Sequence, residues 1–195
     1  MEMQGSRRLA VTQQQAWEAL NDPQVLKTCI PGCDKVEPTA ENQYAIGMAV
    51  KVGPVAARFA GKIMLADVLP PNSYTIAFEG QGGAAGFGKG TAKVSLAPPA
   101  EGAGCELTYT AQAQVGGKIA QVGQRLVDGV ARSMAEDFFR RFDEEMQRRY
   151  PDAYAAQAAL PPEVAPAPSP RRPIPVWAWI AFGVGILLAL WLLAR

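Results

Sequence analysis

The chain has 195 residues, room for one ordinary domain and an appendage. Its 19 Lys and Arg against 18 Asp and Glu leave a net charge of +1, without the broad basic field that nucleic acid requires, so no nucleic acid partner is expected. Histidine is absent, which removes imidazole bases, Ser-His and Cys-His nucleophiles and the commonest metal ligand.

The N-terminal MEMQGSRRLAV lacks the charged-then-apolar pattern of an export signal, so the domain is expected to start in the cytoplasm. After a first strand, Thr12 is placed to cap a short helix carrying Trp17 and Leu20, which stops at Asn21-Asp22-Pro23. A second short helix holds Val25 and Leu26 and ends at Ile30-Pro31-Gly32, where proline and glycine break it. Cys29 and Cys33 flank that break, in a tight turn. With Cys105 they lack C-x-x-C spacing, which predicts reduced thiols and no zinc site.

Period-two alternation follows. Tyr44, Ile46, Met48, Val50 and Val52 share one face, as do Val55, Ala57, Phe59, Gly61, Ile63 and Leu65 after the Gly53-Pro54 turn. Three more runs repeat the pattern: Tyr74 to Phe78, Ala92 to Leu96, and Cys105 to Val115. Arg58, Lys62, Glu79, Lys93, Glu106 and Gln112 fall on the opposite faces, which predicts an antiparallel sheet with one wet and one covered face. Between two strands, Gly83 to Lys89 fits G-x-x-x-x-G-K. Gly90 stands where a magnesium-binding Ser or Thr is required, and no helix follows, so a phosphate loop is not expected. The Gly80 to Ala92 segment is either a rim over the inner face, with Phe87 as an apolar plug, or a plain long hairpin loop.

From Lys118 to about Arg149, Ile119, Val122, Leu126, Val130, Met134, Phe138 and Phe142 recur at three- and four-residue intervals, which predicts one long helix covering the sheet. Its other side carries Asp128 with Arg132 and Glu136 with Arg140, acid-first pairs of a solvated face. The expected fold is therefore α+β. A curved antiparallel sheet is wrapped around a long C-terminal helix over residues 1–150, the helix-grip arrangement. Ala57, Gly61, Ala92, Ala111 and Ala113 on the inner face are compatible with either a ligand cavity or close packing.

Residues 151–175 are rich in proline and alanine and read as a linker without a core. Residues 176–194, VWAWIAFGVGILLALWLLA, are uncharged. At about 1.5 Å per residue they match a hydrocarbon core of about 30 Å, which predicts one transmembrane helix. Arg171 and Arg172 precede the span and only Arg195 follows it, an arrangement that leaves the N-terminal domain in the cytoplasm.

The stretches WEALNDPQVLKTCIPGC (Trp17 to Cys33), GFGKGTAKVSL (Gly86 to Leu96) and VGGKIAQVGQRLVDGVARSMAEDFF (Val115 to Phe139) resemble the G subunit of carbon monoxide dehydrogenase. That family lies within the START-like polyketide cyclase and lipid transport superfamily, and the resemblance spans about residues 1–148. It implies a non-catalytic accessory protein that recruits a molybdenum hydroxylase, typically carbon monoxide dehydrogenase, to the cytoplasmic membrane, and it supplies no catalytic residue.

Electrons leaving a soluble enzyme must reach a carrier held in lipid, so a tethered greasy cavity is expected to bind a hydrophobic small molecule, a quinone or other lipid. No covalent cofactor and no metal are expected. Facing direction nominates Trp17, Met48, Phe59, Phe78, Phe87, Ile119, Val122, Leu126 and Met134 as its lining, although Trp17 on its short helix reads first as core. Two rival readings are a START-like enzyme, which would lack histidine and any paired acid, and a purely structural anchor with a filled core.

Overall fold

The computed structural model describes residues 1–100 and 102–158. The candidate transmembrane segment, 176–194, and the linker from residue 159 onward lie outside the described residues. Among the described residues no helix is long and apolar enough to cross a membrane.

Seven antiparallel strands form one sheet in the order β1-β7-β6-β5-β4-β3-β2. Strand β1 (Glu2–Leu9) pairs with β7 (Cys105–Gly116) and leads into α1 (Gln13–Leu20) and α2 (Pro23–Cys29). Then β2 (Cys33–Ala40), β3 (Gln43–Val52), β4 (Val55–Leu69), β5 (Ser73–Gln81) and β6 (Phe87–Ala97) run as a meander back to β7. The chain ends in α3 (Lys118–Gln121), α4 (Gln124–Arg149) and α5 (Pro151–Ala158).

The short helices start where the sequence supplies caps. Thr12 and Gln15 form a reciprocal capping box on α1, the Gln15 amide donating to Thr12 Oγ1 and Gln15 Oε1 accepting from the Thr12 amide at 2.9 Å. Asp22 caps α2, accepting from the Gln24 amide at 2.8 Å, with Pro23 in the first turn, where its missing N–H costs nothing. Gln13 Nε2 donates to the Leu96 carbonyl at 2.8 Å and to Asn72 Oδ1 at 3.0 Å, which ties α1 to one end of the sheet.

The main core gathers at that end. Leu9, Val11, Trp17, Leu20, Val25, Tyr74, Leu96 and Leu107 bury there around Phe142 and Met146 from the C-terminal half of α4. A second, smaller cluster, Val52, Ile119 and Val127, closes the opposite end. Both alternating faces of β4 follow the expected pattern, with even positions exposed over most of its length.

Several expectations need correction. The single helix predicted from Lys118 is broken at Val122 and Gly123, and Gly123 sits at φ +99°, a conformation that favours glycine. The break resets the helical phase, so Val127 is buried while Leu126 is 42% exposed. The acid-first pairs Asp128–Arg132 and Glu136–Arg140 do not form. Gln124 Nε2 donates to Asp128 instead, and Arg140 spans Asp137 and Glu144 at 2.9 and 2.8 Å. The guanidinium fork satisfies two carboxylates at once, which a single i−4 partner cannot match.

Strand β2 was not foreseen as a strand. It is an edge strand with only Val36 buried, so it has no alternation to read, and Pro38 is tolerated because an edge needs fewer donors. Cys33 both closes the expected tight turn, its amide donating to the Ile30 carbonyl at 3.1 Å, and opens this strand. The expected long Gly80–Ala92 loop shrinks to residues 82–86, containing a 3-10 turn at Gly83–Ala85. The linker expected from residue 151 begins with α5, where Ala153 and Tyr154 pack against the main core and the Tyr154 hydroxyl donates to Asp143.

At the end of α4, Glu145 accepts from Arg148 at 2.6 Å and Arg149 at 2.7 Å, and Arg149 reaches the α2 cap Asp22 at 3.0 Å. The hydrogen bond from Arg148, reinforced by Arg149, holds the Glu145 carboxyl down at about 2 against an ordinary 4.5. Its stabilising contribution is present above pH 4.5 and is lost as pH falls toward 2. Glu145→Gln is expected to flatten the acid limb of the urea-unfolding midpoint against pH; parallel curves for the two proteins would assign that limb to other groups. Phe142→Ala is expected to cost about 3–5 kcal/mol and Leu126→Ala less than about 1 kcal/mol in urea unfolding, and equal losses would contradict the helical phase described above.

Candidate functional site: an apolar interior cavity

Between the two packed ends, α4 stands off the sheet. The space next to the smaller cluster is a cavity of about 360 Å³ lined by Met48, Val50, Phe59, Phe78, Phe87, Ile119, Val130, Ala131 and Met134. A second cavity, about 290 Å³, lies toward the main core and is lined by Leu65, Ile76, Val94, Leu107, Phe138 and Phe139 together with Tyr44, Tyr74 and Tyr109. Ile63 lines both. The first falls at the low end of small-molecule sites, roughly 300–1,000 Å³, and the second just below it.

Glycines shape the larger cavity by letting aromatic rings lie on the backbone. A Cβ at Gly90 would stand 2.1 Å from the Gln112 carbonyl oxygen and 2.7 Å from the Phe78 ring. Likewise, a Cβ at Gly82 would meet Phe59 at 2.6 Å, and one at Gly116 would meet Phe87 at 2.3 Å. Three of the cavity's phenylalanines are therefore seated where only hydrogen fits beneath the ring. Lys62, Glu79 and Lys89 edge the cavity as well, but these residues are exposed and occupy the alternate positions of their strands.

Six of the nine residues nominated from sequence come together here: Met48, Phe59, Phe78, Phe87, Ile119 and Met134. The other three do not. Trp17 is core, 9% exposed, with its ring edge-on to Tyr74 at 5.4 Å. Val122 and Leu126 line a separate groove with Pro54 and Val55, Val122 packing against the smaller cluster while the break at Gly123 leaves Leu126 exposed. Facing direction could have added Ile46, Val50 and Val52, which share the inner face of β3 with Met48. Val127 and Ala131 were hidden by the broken helical phase. A glycine on each side of the short Lys118–Val122 segment was the available signal.

The chemistry of this interior is limited to uncharged hydrogen bonding. Burial pushes the Tyr74 hydroxyl well above the ordinary phenol range, so it stays protonated at neutral pH. Burial likewise lifts the Cys29 thiol to about 11, and Cys105 is raised for the same leading reason, which leaves both poor nucleophiles. All three cysteines are free thiols. Among the described residues no cluster of three His, Cys, Asp or Glu is placed to hold a metal. A broader depression of about 870 Å³ on the wet face, beside Lys62, Glu79, Lys89 and Gln114, is a polar ladder in which Lys62 faces Glu79 and Glu79 faces Lys89 across adjacent strands.

A sheet curved about one long helix, with an uncharged apolar interior between them, defines an α+β domain of the helix-grip class. The chain belongs to the CoxG family, that of the carbon monoxide dehydrogenase G subunit, whose model matches residues 5–147. Among solved structures it is similar to a conserved protein from Geobacillus kaustophilus, with 33% identity, a TM-score of 0.71, and coverage of 76% of this chain and 96% of that one. Proteins from Thermus thermophilus (16% identity, TM-score 0.54, 80% and 99% covered) and Mycobacterium smegmatis (15%, 0.54, 76% and 92%) share the fold. No curated protein matches the chain.

If the interior is empty space, filling it should be tolerated. Ala131→Leu, which adds three carbons from α4 into the larger cavity, is expected to leave the urea-unfolding free energy within about 1 kcal/mol of the parent. A loss of several kcal/mol would mean that the helix already packs closely there.

Proposed function

We propose that this protein is a non-catalytic accessory protein, held in the cytoplasmic membrane by residues 176–194 with its N-terminal domain in the cytoplasm. It recruits a molybdenum hydroxylase of the carbon monoxide dehydrogenase type and carries a quinone or other lipid in its cavity. Membership of the CoxG family over residues 5–147 is the observation that carries the recruiting role. The cargo reading is supported by the 360 Å³ apolar cavity and by the tyrosine-bearing one beside it, since a ligand with an oxygen-bearing head and a greasy body needs both surroundings. The uncharged run near the C-terminus supports the anchor.

A purely structural anchor would need a filled core, and the standing-off of α4 favours the cargo reading over it. An acid-base enzyme would need a titratable pair in the interior, and the charged residues that edge the larger cavity, Lys62, Glu79 and Lys89, are exposed on alternate strand positions.

Two measurements test the proposal. Full-length protein purified from its native membranes should bring a molybdenum hydroxylase with it, and the enzyme should be lost from the membrane when residues 171–195 are deleted; retention without the tail would remove the anchoring role. Organic extracts of residues 1–158 should yield a quinone or another lipid by mass spectrometry, and well-folded protein without either would sink the cargo role.

A further inference from the structure

Three connections meet at the end of the sheet that the smaller cluster closes. The β3–β4 turn, the β5–β6 turn and the β7–α3–α4 connection are brought together by the pairings Val52 with Val55, Ala60 with Gln81, Gln81 with Phe87 and Phe87 with Gly116. Their segments, residues 51–57, 82–88 and 116–127, contain Lys51, Lys118 and Arg125 and no carboxylate. All three cations are exposed, and among the described residues none has a carboxylate partner. Asp128, just beyond, already accepts from Gln124 at 2.7 Å.

The same end exposes apolar side chains. Leu126 is 42% and Phe87 38% exposed, the former in a groove with Pro54, Val55 and Val122. Phe87 also lines the larger cavity, so the cavity wall reaches the surface within this face. Exposed apolar residues ringed by long cations are the composition that seats a protein on an anionic bilayer, the apolar groups entering the headgroup boundary while the cations meet phosphates. Their aliphatic stems can cover the groove as the charged ends stay wet.

We propose that this end of the domain is a docking face for anionic phospholipid, independent of the C-terminal segment, and that it presents the Phe87 edge of the cavity to the bilayer. The inference rests on the reading of the domain as a lipid carrier only for its purpose. The face itself is argued from charge and exposure.

Residues 1–158 suit the test. The main core cluster lies within them, and the match to the 33% identical Geobacillus chain covers 96% of that chain. The domain is expected to co-sediment with vesicles of phosphatidylcholine and phosphatidylglycerol in equal parts, to release as salt is raised, and to ignore phosphatidylcholine alone. Lys51→Gln/Lys118→Gln/Arg125→Gln should weaken partitioning roughly a hundredfold, and Leu126→Ser should weaken it further. Lys93→Gln/Arg140→Gln/Arg148→Gln, with the same change of net charge, should behave as the parent. No sedimentation, equal binding to neutral vesicles, or equal loss in the two triple variants would each overturn the proposal, the first leaving the face to a protein partner. Lipid extracted from the same preparations reads the cargo role separately. Protein that carries lipid yet ignores anionic vesicles defeats only the docking face, and protein that sediments yet carries none defeats only the cargo reading.

Discussion

The enclosure of Phe142 and Met146, both fully buried in one cluster with the first two helices and the β6–β7 side of the sheet, is the contact on which the remaining structure depends. Each such side chain contributes about 1.5–3 kcal/mol by leaving water, and here they fix the C-terminal half of a 26-residue helix. Once that half is clamped, the helix direction is set, and its N-terminal half is carried across the sheet at whatever distance the strand curvature leaves. Only Val127 in that half is fully buried, and with Val52 and Ile119 it closes the far end. The cavity is thus what remains between a firm clamp and a light one. It requires no dedicated element of its own.

Small residues maintain the gap from the sheet side. In an ordinary core, a large side chain opposite a small one fills the difference and density stays near that of a crystal. Here three phenylalanines press against glycines instead, Phe78 against Gly90, Phe59 against Gly82 and Phe87 against Gly116, so part of their volume is spent against the backbone. Ala113 on the sheet and Ala131 on α4 both line the same cavity with short side chains. The resulting wall is greasy but shallow, and Phe87 brings it to the surface.

Much of this was legible because sheets and helices have fixed periods. The inner faces of β3, β4 and β7 follow from alternation alone, and six of nine nominated lining residues followed from those faces and the helix stripe. The failures share a cause: periodic reasoning assumes an unbroken phase. Gly123 at φ +99° interrupts it, and the residues around the break were read out of phase, Leu126 for Val127 above all. Edge position defeated it in another way. With one buried residue in eight, β2 has no period to find. Helix α5 was hidden by composition, since Tyr154 and Ala153 offer little area to bury until Asp143 and the main core supply partners that no local rule can foresee.

The two ends of the domain differ in charge behaviour as well as in packing. Around the clamp, three arginines are paired: Arg148 and Arg149 by Glu145, Arg149 also by Asp22, and Arg140 by Asp137 and Glu144. Such pairs at the surface contribute little individually, but they offset the charge of these three arginines locally. At the lightly closed end, Lys51, Lys118 and Arg125 have no carboxylate partner among the described residues, and the segments around them carry no Asp or Glu. A face with unneutralised cations gains most from an external anion, because no internal pair must be broken to meet it. The end at which the helix is least firmly held is therefore also the end with the most to gain from contact, and it is where the cavity wall comes to the surface.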